Sequence, residues 1–147
     1  TMRRRFFDSC LRTMTSRKRR NPTLRSLKNK CWRVFSEYVR RKDADAGGTA
    51  YCFTCGAPKF WKELHAGHFV GGRTNSVLFN EDIVKPQCLT CNVFKNGNYG
   101  PYTQKMIDQD GRAKVEEFLS LRHQVKKYTL ADLEELIQAY KLKLAAL

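Results

Sequence analysis

No run of apolar residues in this 147-residue chain approaches the length of about eighteen that a bilayer requires, so no segment reads as a membrane span. The basic opening leads into no apolar stretch, so it does not read as a secretory signal either. Acidic residues are scarce at one end. Residues 1–42 hold fifteen Lys and Arg against Asp8 and Glu37 alone, whereas residues 43–147 hold thirteen against twelve acids. Nearly all of the net charge of +14 therefore lies in the first 42 residues. Such a block is drawn to polyanions, and salt weakens its grip as counterions are released. A nucleic-acid partner suits it better than a nuclear address, an anionic membrane patch or a merely solvated tail. Internal repeats are also lacking, with one exception.

The exception is a doubled C-x-x-C. Cys52-Phe-Thr-Cys55 and Cys88-Leu-Thr-Cys91 are separated by 32 residues. Two short thiolate pairs, each folding its own turn, supply the four soft ligands that zinc takes tetrahedrally. Six cysteines would also allow three disulfides, but four in metal-type pairs favour zinc and a reducing compartment. A thioredoxin-like dithiol needs one pair opening a helix, and here polar turn residues, Gly56 and Asn92, follow the two pairs. Cys10 and Cys31 are left over, and Cys31 reads as a small buried hydrophobe on a helix face. A four-thiolate zinc is closed to substrate. Any chemistry then falls to His68, which lies between the knuckles, and to Asn92, which follows the last cysteine.

The length suits one domain, and a hydrophobic content of 41% suits a modest core that a metal would relieve. Residues 1–22 read as a flexible basic arm carrying Arg17, Lys18, Arg19 and Arg20. Residues 23–50 read as a basic helix and linker. Leu24, Leu27, Cys31, Val34 and Tyr38 recur at helical spacing there, and Arg25, Lys28, Arg33, Arg40 and Arg41 fill the other faces toward DNA. Residues 51–100 form the zinc-bound core. A strand is predicted over 62–70, a loop from Gly71-Gly72 to Ser76, and a second strand over 83–87, where Pro86 suits an edge. A helix is predicted from Cys91 to Gly97 or Gly100. Residues 101–147 read as helices over 102–109 and 112–124 and a last one capped by Thr129 with Asp132. Its Leu130, Leu133, Ile137, Tyr140, Leu144 and Leu147 make a seam, either for this chain's own core or for a dimer.

A strand threading between two knuckles is pinned to the helix that starts at the second. His68 would then face Asn92 across a small gap, with the zinc behind. That strand–loop–strand–helix plan resembles the ββα-metal nucleases, and the order C-x-x-C, His, C-x-x-C-Asn resembles endonuclease VII and other HNH (His-Me finger) enzymes. More closely, Cys52-Phe-Thr-Cys-Gly56, Ala66-Gly-His-Phe69, Phe79-Asn-Glu-Asp82, Gln87-Cys-Leu-Thr-Cys-Asn92 and Gly97-Asn98 resemble the phage recombination endonucleases of the NinG (Rap) family. So do Phe35-Ser-Glu-Tyr-Val-Arg40 and the region 102–119. The resemblance covers residues 24–145, tightest in the zinc–His–Asn core.

It implies an α+β fold, a zinc-stapled ββα-metal (HNH) core flanked by N- and C-terminal helices. It also implies a metal-dependent endodeoxyribonuclease that cuts branched recombination intermediates such as Holliday junctions and D-loops, leaving 5′-phosphates. His68 is then the general base, and Asn92 holds a catalytic magnesium or manganese. A homodimer is expected because symmetric junction cleavage needs two active sites. The setting implied is the cytoplasm of a bacterial host, among other phage or host recombination proteins. The rivals are an HNH endonuclease of ordinary duplex DNA and a zinc module that binds DNA without cutting it.

Two positions depart from the HNH pattern. Gly67 stands where a metal-binding Asp or His often precedes the base. His65 is the substitute ligand, but residues i and i+3 of a regular strand face opposite ways, so it would reach Asn92's ion only through a bulge at Gly67. Asp82 stands where an Asn usually braces the base, and an Asp82–His68 contact would raise the histidine's pKa. Arg73 and Lys95 are candidate phosphate contacts.

Overall fold

The computed structural model describes residues 21–147, so the arm with Arg17, Lys18, Arg19, Arg20 and Cys10 lies outside the described residues. Helix α1 (Leu24–Arg41) opens on a reciprocal cap. The Thr23 hydroxyl accepts from the Ser26 backbone N–H, and the Ser26 hydroxyl accepts from Thr23 N–H. A hairpin of β1 (Thr49–Tyr51) and β2 (Pro58–Phe60) carries the first knuckle at its tip. Strand β3 (Leu64–His68) pairs antiparallel with β4 (Val84–Cys88), which delivers the second knuckle. One helical turn, α2 (Asn75–Leu78), sits in the connection between them. Helices α3 (Tyr99–Asp110), α4 (Arg112–Ser120) and α5 (Leu130–Ala145) complete an α+β fold. Among the described residues, no helix is long and apolar enough to cross a membrane.

One core joins these elements. Phe35 and Val39 of α1 pack with Val70, Ile83, Val84, Tyr102, Met106, Phe118 and Tyr140, so helices from both ends of the chain clamp the β3–β4 pair. Each such fully buried side chain contributes roughly 1.5–3 kcal/mol. A second cluster joins Leu27 and Cys31 of α1 to Leu133 and Ile137 of α5. Leu133, Ile137 and Tyr140 of the C-terminal seam thus pack inside the chain. Leu130 and Leu147 fall off its buried face and are exposed.

Three expectations change. The buried face of α1 is Leu27, Cys31, Phe35 and Val39, whereas Leu24 is exposed. The bulky Phe35 sits deeper than Val34, which rotates the stripe by one residue. The helix expected from Cys91 is a single π-helical turn, Thr90–Phe94. It ends because Asn96, Gly97 and Asn98 all adopt left-handed backbone, with φ of 47°, 90° and 50°. The β1–β2 hairpin was not legible, since its strands are three residues each and carry no usable alternation.

Candidate metal centre and active site

Four sulfurs define the centre. Cys52, Cys55, Cys88 and Cys91 place their Sγ atoms within 4.8 Å of one another, with Cys55 and Cys88 at 3.8 Å. Zinc–sulfur bonds of about 2.3 Å in a tetrahedron give sulfur edges of about 3.8 Å, so the four cysteines fit a zinc. The first knuckle closes because Gly56 adopts a φ of 74°, letting its N–H reach Cys52 O at 2.8 Å. The Cys52 thiol is drawn down to about 6. Burial opposes ionisation, but the Thr54 hydroxyl and the Cys55 and Cys88 backbone favour the thiolate. Burial pushes Cys55 and Cys88 up instead. Crowded thiols cannot all ionise on their own, whereas a divalent cation among them deprotonates the set.

The knuckles pin both strands. Phe53 N–H donates to Pro86 O at 2.7 Å, and Asn98 Nδ2 donates to Cys91 Sγ at 3.4 Å. On the face of β3 that carries His65 and Gly67 lies Asn92. Its Nδ2 donates to His65 Nδ1 at 3.2 Å, and its Oδ1 comes within 3.1 Å of the point where a Gly67 Cβ would stand. The expected bulge is absent. The β3–β4 register runs unbroken from Leu64↔Cys88 to His68↔Val84. His65 reaches Asn92 because Asn92 sits on its side of the strand, and alternation then turns His68 the other way. The expectation that His68 faces Asn92 across a gap is therefore corrected: the two flank the strand from opposite faces.

His68 points toward α1. Its imidazole stacks on Trp32, with ring centroids 5.2 Å apart and planes 16° from parallel. Its Nε2 lies 3.3 Å from Leu78 O. A carbonyl only accepts, so Nε2 carries the proton, and Nδ1 keeps a lone pair with no hydrogen-bond partner among the described residues. Burial lowers the histidine's pKa below its ordinary value, and the charge of Arg73 lowers it further against the opposing pull of the Leu78 carbonyl. The ring is thus held neutral and able to accept a proton. Behind it, the buried Tyr102 hydroxyl donates to Gly67 O at 3.0 Å and fixes the strand.

Asp82 does not brace His68. Its side chain is exposed, and the turn before β4 is closed by Asn80, whose Oδ1 accepts from Asp82 N–H at 2.9 Å and whose backbone O accepts from Val84 N–H at 3.1 Å. The pKa of His68 moves down instead of up.

The basic residues divide. Arg73 adopts a left-handed φ of 45°, and its guanidinium lies over Trp32 at 4.6 Å, beside His68. Lys95 is exposed just past the π-helical turn, and Arg25 and Arg33 are exposed on α1. Arg40 is drawn toward the fold, donating to Ser36 O and Leu64 O and lying over Trp61. Arg41 pairs with Glu37, and Lys28 donates to Asn75 Oδ1. Sequence reasoning missed Trp32 and Gln87. Trp32 lies three residues before Phe35 at the edge of a basic helix. Gln87, a polar residue in a strand whose every residue is buried, left no signal of its own.

Fold and site together define a small α+β protein whose strands are stapled by a four-cysteine centre able to hold zinc. The chain belongs to the bacteriophage NinG family: the family model described as Bacteriophage Lambda NinG protein matches residues 4–147. Similar relatives are Protein ninG of Escherichia phage lambda and Protein ninG of Salmonella phage P22. Each is 29% identical over 108 residues, covering 73% of this chain and 50% of the relative. Protein ninG of Escherichia phage 933W is 28% identical over the same length. The matched stretch spans about half the length of these curated relatives. No solved structure matches the chain.

Proposed function

We propose that this chain is a metal-dependent DNA endonuclease of the HNH type that cuts branched recombination intermediates such as Holliday junctions and D-loops. The observation that carries the reading is His68, held neutral between Trp32 and Leu78 O with Nδ1 free, one residue from the strand face where His65 meets Asn92. In the proposed reaction His68 Nδ1 takes a proton from a water as its oxygen attacks phosphorus. The P–O3′ bond breaks, and the leaving oxygen takes a proton from solvent. Arg73 beside the histidine steadies the scissile phosphate. Asn92 fits a hard divalent ion through its amide oxygen, and His65 Nδ1, by accepting from the Asn92 amide nitrogen, turns that oxygen away from itself and fixes its aim. When bound, magnesium or manganese would supply positive charge to the phosphate and the leaving oxygen from the Asn92 side of β3. The phosphate would lie across the end of that strand, with His68 on its other side. A zinc on the four cysteines would take no part in the chemistry and would hold β3, β4 and Asn92 in register.

The basic N-terminal segment and the exposed Arg25, Arg33 and Lys95 supply backbone grip without reading bases, which suits recognition of a branch by shape. Two copies of the chain would make the paired cuts that resolve a four-way junction.

The test is cleavage of an end-labelled four-way junction, a flap and a linear duplex of matched length. Wild type and His68→Ala are compared, each with magnesium and with chelator. Magnesium-dependent cutting of the junction, lost in His68→Ala and slower on linear duplex, supports the reading. Equal rates on linear DNA would point to a duplex nuclease, and absence of any magnesium-dependent nicking would leave a non-catalytic DNA-binding module.

A further inference from the structure

The side chain of Gln87 is fully buried, and its Oε1 has no hydrogen-bond partner among the described residues. Its orientation is not open to choice. Nε2 donates to Gly97 O at 2.9 Å and to Thr54 Oγ1 at 3.1 Å. Because the Gly97 carbonyl can only accept, the amide nitrogen must face it, and the oxygen must point the other way. That way leads to Gly67. In the ladder Gln87 stands opposite His65, on the same face as Gly67 and Asn92. A Cβ on Gly67 would lie 2.0 Å from Gln87 Oε1 and 3.1 Å from Asn92 Oδ1. Two amide oxygens thus flank the space above the Gly67 α-carbon, and His65 Nδ1 accepts from the Asn92 amide at its edge.

We propose that Gln87 Oε1 is a ligand of the catalytic divalent ion, occupying the place that a metal-binding side chain at position 67 would fill. The inference rests on the reading that Asn92 holds that ion. Two amide oxygens flank one point, and one of them is buried without a donor, so a hard cation there would satisfy both. Glycine at 67 is then required, because any side chain there would displace the Gln87 ligand. Thr54 and Gly97 position Gln87 by holding its amide nitrogen. This ties the first zinc knuckle, through the Thr54 hydroxyl that also meets Cys52 Sγ at 3.2 Å, to the aim of the proposed ligand.

The experiment measures manganese binding to the zinc-loaded full chain, from the electron paramagnetic resonance of free Mn2+. Wild type, Gln87→Met, Asn92→Ala and the double variant Gly67→Asp/Gln87→Ala are compared. Gln87→Met is expected to weaken manganese about tenfold or more with zinc content unchanged. The double variant is expected to recover affinity, since the aspartate enters the space that the glutamine vacates. A second measurement needs no variant. With 13C-labelled glutamine, saturating magnesium is expected to shift the Gln87 side-chain carbonyl resonance, and an unmoved resonance overturns the proposal even if Gln87→Met fails to fold. Unchanged affinity in Gln87→Met with loss in Asn92→Ala would make Gln87 a packing residue and leave the Asn92 site standing. A wild type that binds no manganese removes both.

Discussion

Trp32 and His68 lie face to face, 5.2 Å between ring centroids, and this stack joins the basic helix to the proposed base. Arg73 also covers the indole, so one aromatic holds two groups of the site. Trp32→Ala frees the imidazole to leave the Leu78 carbonyl, and the proposed cleavage should slow about tenfold, the scale on which a misplaced catalytic group acts. Stability should fall by about 2 kcal/mol, less than the roughly 3–5 kcal/mol of a fully buried aromatic, because the indole is only half-buried. Trp32→Phe keeps a stacking ring and should recover most of the rate. Single-turnover cleavage and urea unfolding separate the two effects, and wild-type rates in Trp32→Ala would refute the positioning role.

The depressed pKa of His68 sets a pH dependence. Burial and Arg73 make the folded histidine bind its proton less readily than an unfolded one, whose pKa lies near ~6.5. Only the neutral ring accepts a proton, so the acid limb of kcat/KM should fall below ~6.5 rather than at or above it. The same sign governs stability. The unfolded chain binds the extra proton first, so this contribution is full above ~6.5 and is lost as pH falls through the folded value. Arg73→Met removes the neighbouring charge and should move the limb upward in pH. A limb that stays put would mean that Arg73 does not face the base.

Much of this arrangement is legible in the sequence, for physical reasons. Thr23 and Thr129 announce their helices because capping is local, and the knuckles announce the metal centre because two C-x-x-C pairs need no tertiary context. The face of β3 that Asn92 occupies was not legible. It depends on where a π-helical turn of five residues sets the side chain, and left-handed Asn96 and Asn98 decide that turn. Asn80 escaped for a related reason. Four polar or aromatic residues precede β4, and only the register of Val84 against His68 shows which of them closes the turn.

The cysteines should separate by reactivity. Burial pushes the Cys31 thiol up to about 11, so it stays protonated and shielded in the folded chain. With zinc bound, Cys52, Cys55, Cys88 and Cys91 should resist iodoacetamide. A strong chelator should expose all four, lower the melting temperature and abolish the proposed cleavage, because β3 and β4 lose their staple. Peptide mapping by mass spectrometry should find Cys31 unmodified until the chain unfolds. Early alkylation of Cys31 would show that α1 does not stay packed on α5.

Salt dependence tests the proposed grip on DNA. Arg25 and Arg33 are exposed on α1, whereas Arg40 is tied to Leu64 O. If the exposed pair contacts phosphate, Arg25→Gln and Arg33→Gln should each reduce the slope of log K against log salt by about 0.9. Arg40→Gln should leave the slope unchanged and lower stability instead. Titration of a labelled junction at several salt concentrations reads all three, and a reduced slope for Arg40→Gln alone would reverse the assignment.

Glu81 ties the turn before β4 to the last helix. Its Oε1 accepts from the Tyr140 hydroxyl at 2.9 Å and from Lys143 Nζ. Burial alone would raise its pKa, but these two donors favour the carboxylate and bring it below the usual glutamate range. The folded state then releases its proton more readily than the unfolded chain, whose glutamate titrates near ~4.3. The stabilisation is therefore complete above ~4.3 and disappears as pH falls through the folded value. Glu81→Gln should cost about 1 kcal/mol at pH near ~7, a modest figure because the carboxylate is partly solvated and screened. Urea unfolding of both proteins from near ~7 down to about pH 3 should show their difference shrinking toward zero. A difference that persists undiminished in acid would mean that packing of α5, rather than the charge on Glu81, holds the turn in place.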